Sequence, residues 1–576
     1  VTKERDMAFD LVIRGGTVVD GSGEPGFKAD VGVSQGRIAA IGAIEERGAE
    51  EIDAAGCIVT PGFIDAHTHM DAQIHWDPLG TSSCWHGVTT VVMGNCGFTL
   101  APARAEQRDL VVRNLERAED MAPDVLAAGI HWDWETFPEY MNTLERLPKG
   151  INYATYIGHS ALRTWAMGER AFTDTATPAD MALMKEQLGD ALRAGAVGLS
   201  TSRSHQHETS DDKKVASRLA SWDEIQQLVG TMGKLGAGVF ELAQEQTARV
   251  PDPALRAEFF ARMKDLALKS GVPASFSVLV STKTRDAWQD QLALLDQVAA
   301  EGGRMIGQTN TRGGVVILLS FLTQLPFDRL PEWKALRARS IDEQKKLLRD
   351  PAVRAQLVHA AHHGQYGRAI GAEAQKPNYD LVFVFDKPLP PYKSLAQVAR
   401  ERGVDPVEAM IDLALEADFE RFFIQYGLPI AEADVLEAMR HPHCVMTFSD
   451  SGAHVSQIAD FAVHTQLLAE WVNDKKALPV EEAVHMITQS LAEAWGFADR
   501  GLLKEGMVAD INVIDMNAIS PGMPKLVTDL PAGGRRLVQR PEGYRATIVA
   551  GQVFMRDGQH TGVLPGKLLR GPLARS

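Results

Sequence analysis

The chain has 576 residues, 45% hydrophobic and 23% charged, the proportions of an ordinary globular protein, and its length exceeds one ordinary domain although an α/β barrel uses much of it alone. A net charge of −16 argues against nucleic acid or an anionic membrane as a partner, but leaves a small anionic substrate open, since local cations in a pocket decide that. Four scattered cysteines, Cys57, Cys84, Cys96 and Cys444, make no disulfide framework; no apolar run reaches membrane-spanning length, and residues 1–7 lack a signal-peptide core. The expectation is a cytoplasmic protein, with Met7 a candidate start.

The first sixty residues read as short strands with turns: Asp10-Leu-Val-Ile-Arg, a Gly-Gly turn, Thr17-Val-Val-Asp, then Ala29-Asp-Val-Gly-Val and Arg37-Ile-Ala-Ala-Ile. The same texture returns in Ala509-Asp-Ile-Asn-Val-Ile-Asp and Ala546-Thr-Ile-Val-Ala-Gly-Gln-Val-Phe. These ends predict one small β-sandwich from residues 1–60 and 499–576 around a barrel spanning 61–498.

Between the ends, eight short apolar strands alternate with helical patterns. They begin at Gly62, Thr89, Asn152, Ala196, Ala237, Pro273, Arg304 and Cys444. Apolar strands alternating with amphipathic helices imply a parallel sheet covered by helices, and eight imply an α/β fold of the (β/α)8 TIM-like kind, whose active site lies where the strands end. The gap between strands seven and eight predicts an inserted helical and loop subdomain over 320–440, positioned to cover the barrel mouth.

Strand 1 ends in Pro61-Gly-Phe-Ile-Asp-Ala-His67-Thr-His69. Residues i and i+2 of a strand point the same way, so His67 and His69 can reach one metal ion. Strand 2 delivers Asn95-Cys96-Gly97, where Cys96 is a thiolate ligand or a small buried hydrophobe. Strand 8 delivers Ser449-Asp450-Ser451-Gly452, where Asp450 is a ligand and general base or a helix N-cap. His159, after strand 3, is a catalytic candidate for steadying an oxyanion, and His205 and His207 follow strand 4. Arg203, Lys283 and Arg312 are candidate cations for a substrate carboxylate, with His207 and Asn310 candidate donors. His362, His363, His441 and His443 read as surface residues.

Together these residues resemble the amidohydrolase superfamily, specifically the N-acyl-D-amino-acid deacylase (D-aminoacylase) group. The resemblance rests on Pro61 to His69, Gly87-Val-Thr-Thr-Val-Val-Met-Gly-Asn-Cys-Gly97, Ile157-Gly-His-Ser-Ala-Leu-Arg163, Gly195-Ala-Val-Gly-Leu-Ser-Thr201 and Phe448-Ser-Asp-Ser-Gly-Ala-His454. It implies a β-sandwich plus barrel, a zinc-type ion and hydrolysis of an amide, with His67, His69, Cys96 and Asp450 as metal ligands and Asp450 also the base. One departure stands out. The deacylases carry histidines at the ends of strands 5 and 6, whereas Gly238-Val-Phe-Glu-Leu-Ala-Gln244 and Ala274-Ser-Phe-Ser-Val-Leu-Val-Ser281 carry none. Glu241 is the remaining oxygen donor there, so one Zn2+ per chain is expected. The weakened second site also opens other readings: a lactone, a cyclic amide or a carbon–carbon bond as the target, or a non-catalytic metal-binding relative.

Overall fold

The structure, a computed structural model, describes residues 8–368 and 371–574; the expected start at Met7 lies outside the described residues. Runs of β-branched and aliphatic residues between glycine turns form eight parallel strands. In chain order they are Phe63–Asp65, Val88–Met93, Asn152–Thr155 continued by Ile157–Gly158, Gly198–Ser202, Val239–Ala243, Ala274–Ser277, Met305–Thr309 and Cys444–Met446, called barrel strands 1 to 8 below. Strands 1 to 3 pair in order, as do strands 3 to 8. The two arcs share the broken strand 3 and meet again at a parallel bridge between Thr68 and Ser451, which closes the barrel. Every residue of Val88–Met93 is buried, as a strand with helices outside and barrel core inside requires.

Helices Trp222–Leu235, Pro253–Ser270 and Arg285–Ala300 cover strands 4 to 7. Pro178–Ala194 shows how locally their ends are encoded: Thr177 and Asp180 form a capping box, proline opens the first turn, and Gly195 at φ 113° closes the last. The connection from strand 1 to strand 2 holds only short 3-10 turns. No helix among the described residues is long and apolar enough to cross a membrane.

Both chain ends share one sheet. Phe9–Val18 pairs with Phe27–Ser34, Gly48–Asp53 and Ile58–Pro61, and Ile58–Pro61 pairs antiparallel with Ile511–Ile514, followed by Tyr544–Val549 and Gln552–Arg556. Gly15-Gly16, expected as a turn, is a bulge inside one ten-residue strand. Both flanks keep Phe27–Ser34 as partner, and Gly15 at φ 67° absorbs the register shift. The C-terminal tail straps the barrel's underside: Tyr153 N–H donates to Lys567 O, Leu569 N–H to Tyr153 O, and Gly571 N–H to Gly195 O.

The insertion has helices such as Pro351–His363 and Pro406–Glu416, but also an antiparallel sheet of Val316–Leu319, Phe422–Tyr426 and Val382–Phe385, which a helix-and-loop reading omits. Its own apolar cluster gathers Phe321, Trp333, Leu357 and Phe419. Ile317, Tyr426 and Leu428, from this sheet and the turn after it, line the cavity above the barrel strands.

Candidate metal centre and its cavity

The cavity, with a volume of about 400 Å³, opens at the C-terminal ends of the strands and is lined by His67, His69, Cys96, Glu241 and Asp450 together. The ligand atoms of His67, His69 and Cys96 all lie within 4.8 Å of one another. Asp450 Oδ1 is 3.4 Å from Nε2 of both histidines, and Cys96 Sγ is 3.5 Å from His67 Nε2. Donors bound at zinc distances in a tetrahedron stand about 3.3–3.6 Å apart. The contacts of His67 with Asp450 and Cys96, and of His69 with Asp450, have that spacing.

Both imidazoles turn the same nitrogen inward; His67 is held from behind by a hydrogen bond, and His69 faces a carboxylate there. His67 Nδ1 is 2.6 Å from Gln308 Oε1, and Gln308 Nε2 donates to Ser275 Oγ at 2.8 Å. A carbonyl oxygen on Nδ1 fixes the proton there and leaves Nε2 as a lone pair for an ion. His69 Nδ1 faces Glu119 Oε1 at 3.5 Å. Phe448 stands edge-on to His67, with ring centroids 4.4 Å apart. His69 Nδ1 and Glu119 Oε2 lack hydrogen-bond partners although buried, the condition of groups arranged around a charge. Two nitrogens, a sulfur and a carboxylate oxygen suit a zinc-type ion.

The charges tell the same story. Burial disfavours a charged His69, but Glu119 and Asp450 outweigh it and raise its pKa to about 9. Burial alone dominates at His67, lowered to about 4, and pushes the Cys96 thiol well up, with Glu241 adding to the rise. Burial also lifts Glu119, and raises Glu241 to about 8 against the Cys96 N–H it accepts at 2.8 Å. Asp450 goes the other way: His69 and His67 overcome burial and hold it below the usual carboxylate range. A cation at this point would favour the thiolate and relieve the crowding of carboxylates.

Backbone strain collects here. Cys96, Phe448, Asp450 and His454 all have positive φ, at 57°, 76°, 51° and 48°. Such conformations cost about 1–3 kcal/mol each and persist where the surroundings over-determine them. Gly452 at φ 97° lets the loop after strand 8 lie against strand 1; a Cβ there would stand 2.6 Å from His69 O.

The amidohydrolase family model matches residues 50–555. The chain belongs to the amidohydrolase family. It is a D-aminoacylase-like member and hence a hydrolase. An uncharacterised Mycobacterium tuberculosis protein is 30% identical over 97% of this chain and 94% of its own length. D-aminoacylase of Alcaligenes xylosoxydans xylosoxydans is 27% identical over 99% of both. A crystal structure of D-aminoacylase shares the fold at a TM-score of 0.64 and 24% identity, covering 98% of this chain and 100% of the other.

Within this amidohydrolase, His67, His69, Cys96, Asp450 and His207 converge on the cavity. Other expected site residues need correction. His159 is fully buried outside the cavity lining: Nδ1 meets Thr201 Oγ1 at 2.8 Å and Nε2 meets Glu224 Oε1 at 2.9 Å, so neither nitrogen is left for an oxyanion. Glu224 also binds Arg163, making a structural cluster behind strands 3 and 4. Arg203 pairs with Glu245 at 2.7 Å, and Lys283 is exposed; neither lines the cavity. Arg312 does line it, but Asp460 neutralises it at 2.6 Å. Asn310 is also outside the lining, with Oδ1 accepting from Arg312 N–H at 3.0 Å. Glu119, Gln308 and Arg249 were not anticipated. Only Gln308 left a signal, as a buried amide near the end of strand 7, two residues before Asn310.

Proposed function

We propose that this amidohydrolase cleaves the amide bond of a small N-acyl amino acid with one zinc-type ion held by His67, His69, Cys96 and Asp450. The observation that carries this reading is the cluster of His67, His69 and Cys96, with Asp450 Oδ1 3.4 Å from both histidines, on the wall of one cavity. Its support from relatives is that D-aminoacylase and N-acyl-D-glutamate deacylase of Alcaligenes xylosoxydans xylosoxydans are 27% and 28% identical. A further support is the solved N-acyl-D-glutamate deacylase from Bordetella bronchiseptica, described as complexed with zinc and a phosphonate mimic of the tetrahedral intermediate.

The bound ion supplies Lewis acidity, which acidifies water and polarises a carbonyl. Asp450, low in pKa and therefore ionised, takes the proton of the attacking water and delivers it to the departing amine nitrogen. His207 is buried and neutral, its pKa lowered to about 3 chiefly by burial. Its Nδ1 meets Ser202 Oγ at 2.6 Å, a hydroxyl that accepts from Ser204 N–H and donates to the ring. Nε2–H is then free to steady the oxyanion in place of His159. Glu241 is committed to the Cys96 N–H, and strand 6 offers Ser275 and Ser277, so one ion rather than two is the reading that follows. The terminal sheet formed by residues up to 60 and beyond 499 we read as a separate β domain packed on the barrel.

The test is elemental analysis of the purified protein with a screen of N-acyl-D- and N-acyl-L-amino acids on the same sample. About one zinc-type ion per chain and chelator-sensitive amide hydrolysis are expected. Two tightly held ions would sink the single-ion reading, and hydrolysis that survives complete metal removal would sink the mechanism.

A further inference from the structure

The 3-10 turn Asn95–Gly97, which carries Cys96, is gripped by side chains from elsewhere in the barrel. Gly94 N–H, just before it, donates to Asp71 Oδ2 at 2.8 Å, beyond the end of strand 1. Cys96 N–H donates to Glu241 Oε2 on strand 5 at 2.8 Å. Gly97 N–H donates to Ser200 Oγ on strand 4 at 3.0 Å, and that hydroxyl donates back to Gly94 O. By contrast, the N–H groups of His69 and Asp450 go to backbone carbonyls, of Ser451 and His67. Ser200 and Glu241 are register partners on neighbouring strands, so their side chains leave the sheet on the same face. The turn also lies close to strand 3: a Cβ on Gly158 would stand 2.6 Å from Gly97 O.

Cys96 is held at φ 57°, in the left-handed region that a residue with a Cβ adopts only under constraint. In that conformation its Sγ comes to 3.5 Å from His67 Nε2. The residue is buried, and Glu241 is the acceptor for its N–H. Without that acceptor a buried donor loses its partner and nothing offsets the strain, so the turn is free to relax and re-aim the thiol. Glu241 lines the cavity and is therefore also a rival ligand. The contacts speak against that role: Asp450 Oδ1 stands 3.4 Å from Nε2 of both histidines, whereas among the described residues Glu241 makes no ion pair with either. A thiolate at Cys96 and a carboxylate at Asp450 already balance a doubly charged ion, so the centre does not need a third negative charge.

We propose that Glu241 is a positioning residue: by accepting the Cys96 N–H it locks the left-handed turn that aims the thiolate at the metal, and it acts through reach and acceptor geometry rather than through charge. Ser200, its register partner, completes the clamp on the next N–H. The proposal rests on the reading of Cys96 as a metal ligand, and not on which bond the enzyme cleaves.

Two conservative variants separate reach from charge. Glu241→Gln keeps the length and an acceptor oxygen, whereas Glu241→Asp keeps the charge but is one methylene short. The readout is the thiolate-to-metal charge-transfer band of the cobalt(II)-substituted enzyme, with cobalt affinity from a competitive chelator titration on the same samples. Glu241→Gln should keep the band and an affinity within a few-fold of the wild type. Glu241→Asp should lose most of the band and about 10- to 100-fold in affinity. Loss of the band in Glu241→Gln, or an undiminished band in Glu241→Asp, overturns the proposal. Two cobalt ions in the wild type and one in each variant would make Glu241 a ligand and overturn it as well. A wild type without the band removes Cys96 as a ligand, and the clamp falls with it. Turnover of N-acyl amino acids is scored separately. The expected band pattern without turnover sinks the hydrolase reading and leaves Glu241 standing, whereas turnover with the opposite pattern does the reverse.

Discussion

Gln308 holds His67 from behind much as Glu119 faces His69, and neither touches the position an ion would occupy. Groups of this kind set the tautomer and aim of a ligand, so their removal weakens metal binding without removing a donor. Gln308→Leu should lower zinc affinity about 10- to 100-fold in a competitive chelator titration, with the circular dichroism spectrum unchanged; equal affinity would reduce Gln308 to packing. Asp450→Asn should cut turnover about 10²- to 10⁴-fold in a folded protein, and undiminished turnover would remove it as the base. His159→Ala makes the opposite expectation. Breaking its buried contacts with Thr201 and Glu224 should cost about 1–3 kcal/mol of stability, read as a lower urea midpoint, while kcat/KM of the folded enzyme stays within a few-fold. A collapse of kcat/KM there would restore His159 to the reaction. The histidine pair, Cys96 and Asp450 were legible in the sequence because each sits in a short local pattern at a strand end. Glu119 was not, because nothing in its neighbours' sequence marks it: it faces His69 only through the folded connection between strands 2 and 3.

At the scale of elements, the loop after strand 8 does the most with the least chain. Three of its residues or neighbours, Phe448, Asp450 and His454, hold positive φ, and Gly452 permits contact with the backbone of His69. Gly452→Ala would place a methyl 2.6 Å from a carbonyl oxygen in a conformation that L residues avoid, so the loop must withdraw from strand 1. The expected result is a lower melting temperature together with weaker zinc binding; a loss of one without the other would show that loop and ligand geometry are uncoupled. The strands themselves were readable because buried parallel strands are continuous apolar runs. The Gly15-Gly16 bulge misled for a physical reason, since two glycines serve a turn and a register shift equally well and only the partner strand distinguishes them. The insertion's sheet was hidden for a similar reason: its three strands lie far apart in sequence, and only the partner strands reveal their pairing.

Across the whole molecule, several histidines are buried neutral away from the metal centre. His86 sits between Thr465 Oγ1 at 2.7 Å and Gln539 O at 3.1 Å, and burial lowers its pKa to about 3; burial likewise lowers His75 to about 4. Their folded pKa values lie below the unfolded value, so on acidification the unfolded chain binds protons that the native state refuses. Stability is therefore undiminished above the unfolded pKa and falls as pH drops toward the folded values, by up to about 1.4 kcal/mol per unit for each histidine. Denaturant midpoints should fall between roughly pH 7 and 5, and a flat profile would show these rings to be protonated in place.

The shared terminal sheet has a consequence in the order of synthesis. Pro61, a few residues before His67, closes a strand whose neighbour is Ile511–Ile514, and the strap under strands 3 and 4 is made later still. The ribosome delivers the first two candidate ligands early and the segment that braces their strand some four hundred and fifty residues later. A nascent or prematurely ended chain thus carries His67 and His69 on an unsupported edge, without Asp450. An ion held by all four candidate ligands would therefore depend on a segment some four hundred and fifty residues downstream for the bracing of the strand that leads to its first two.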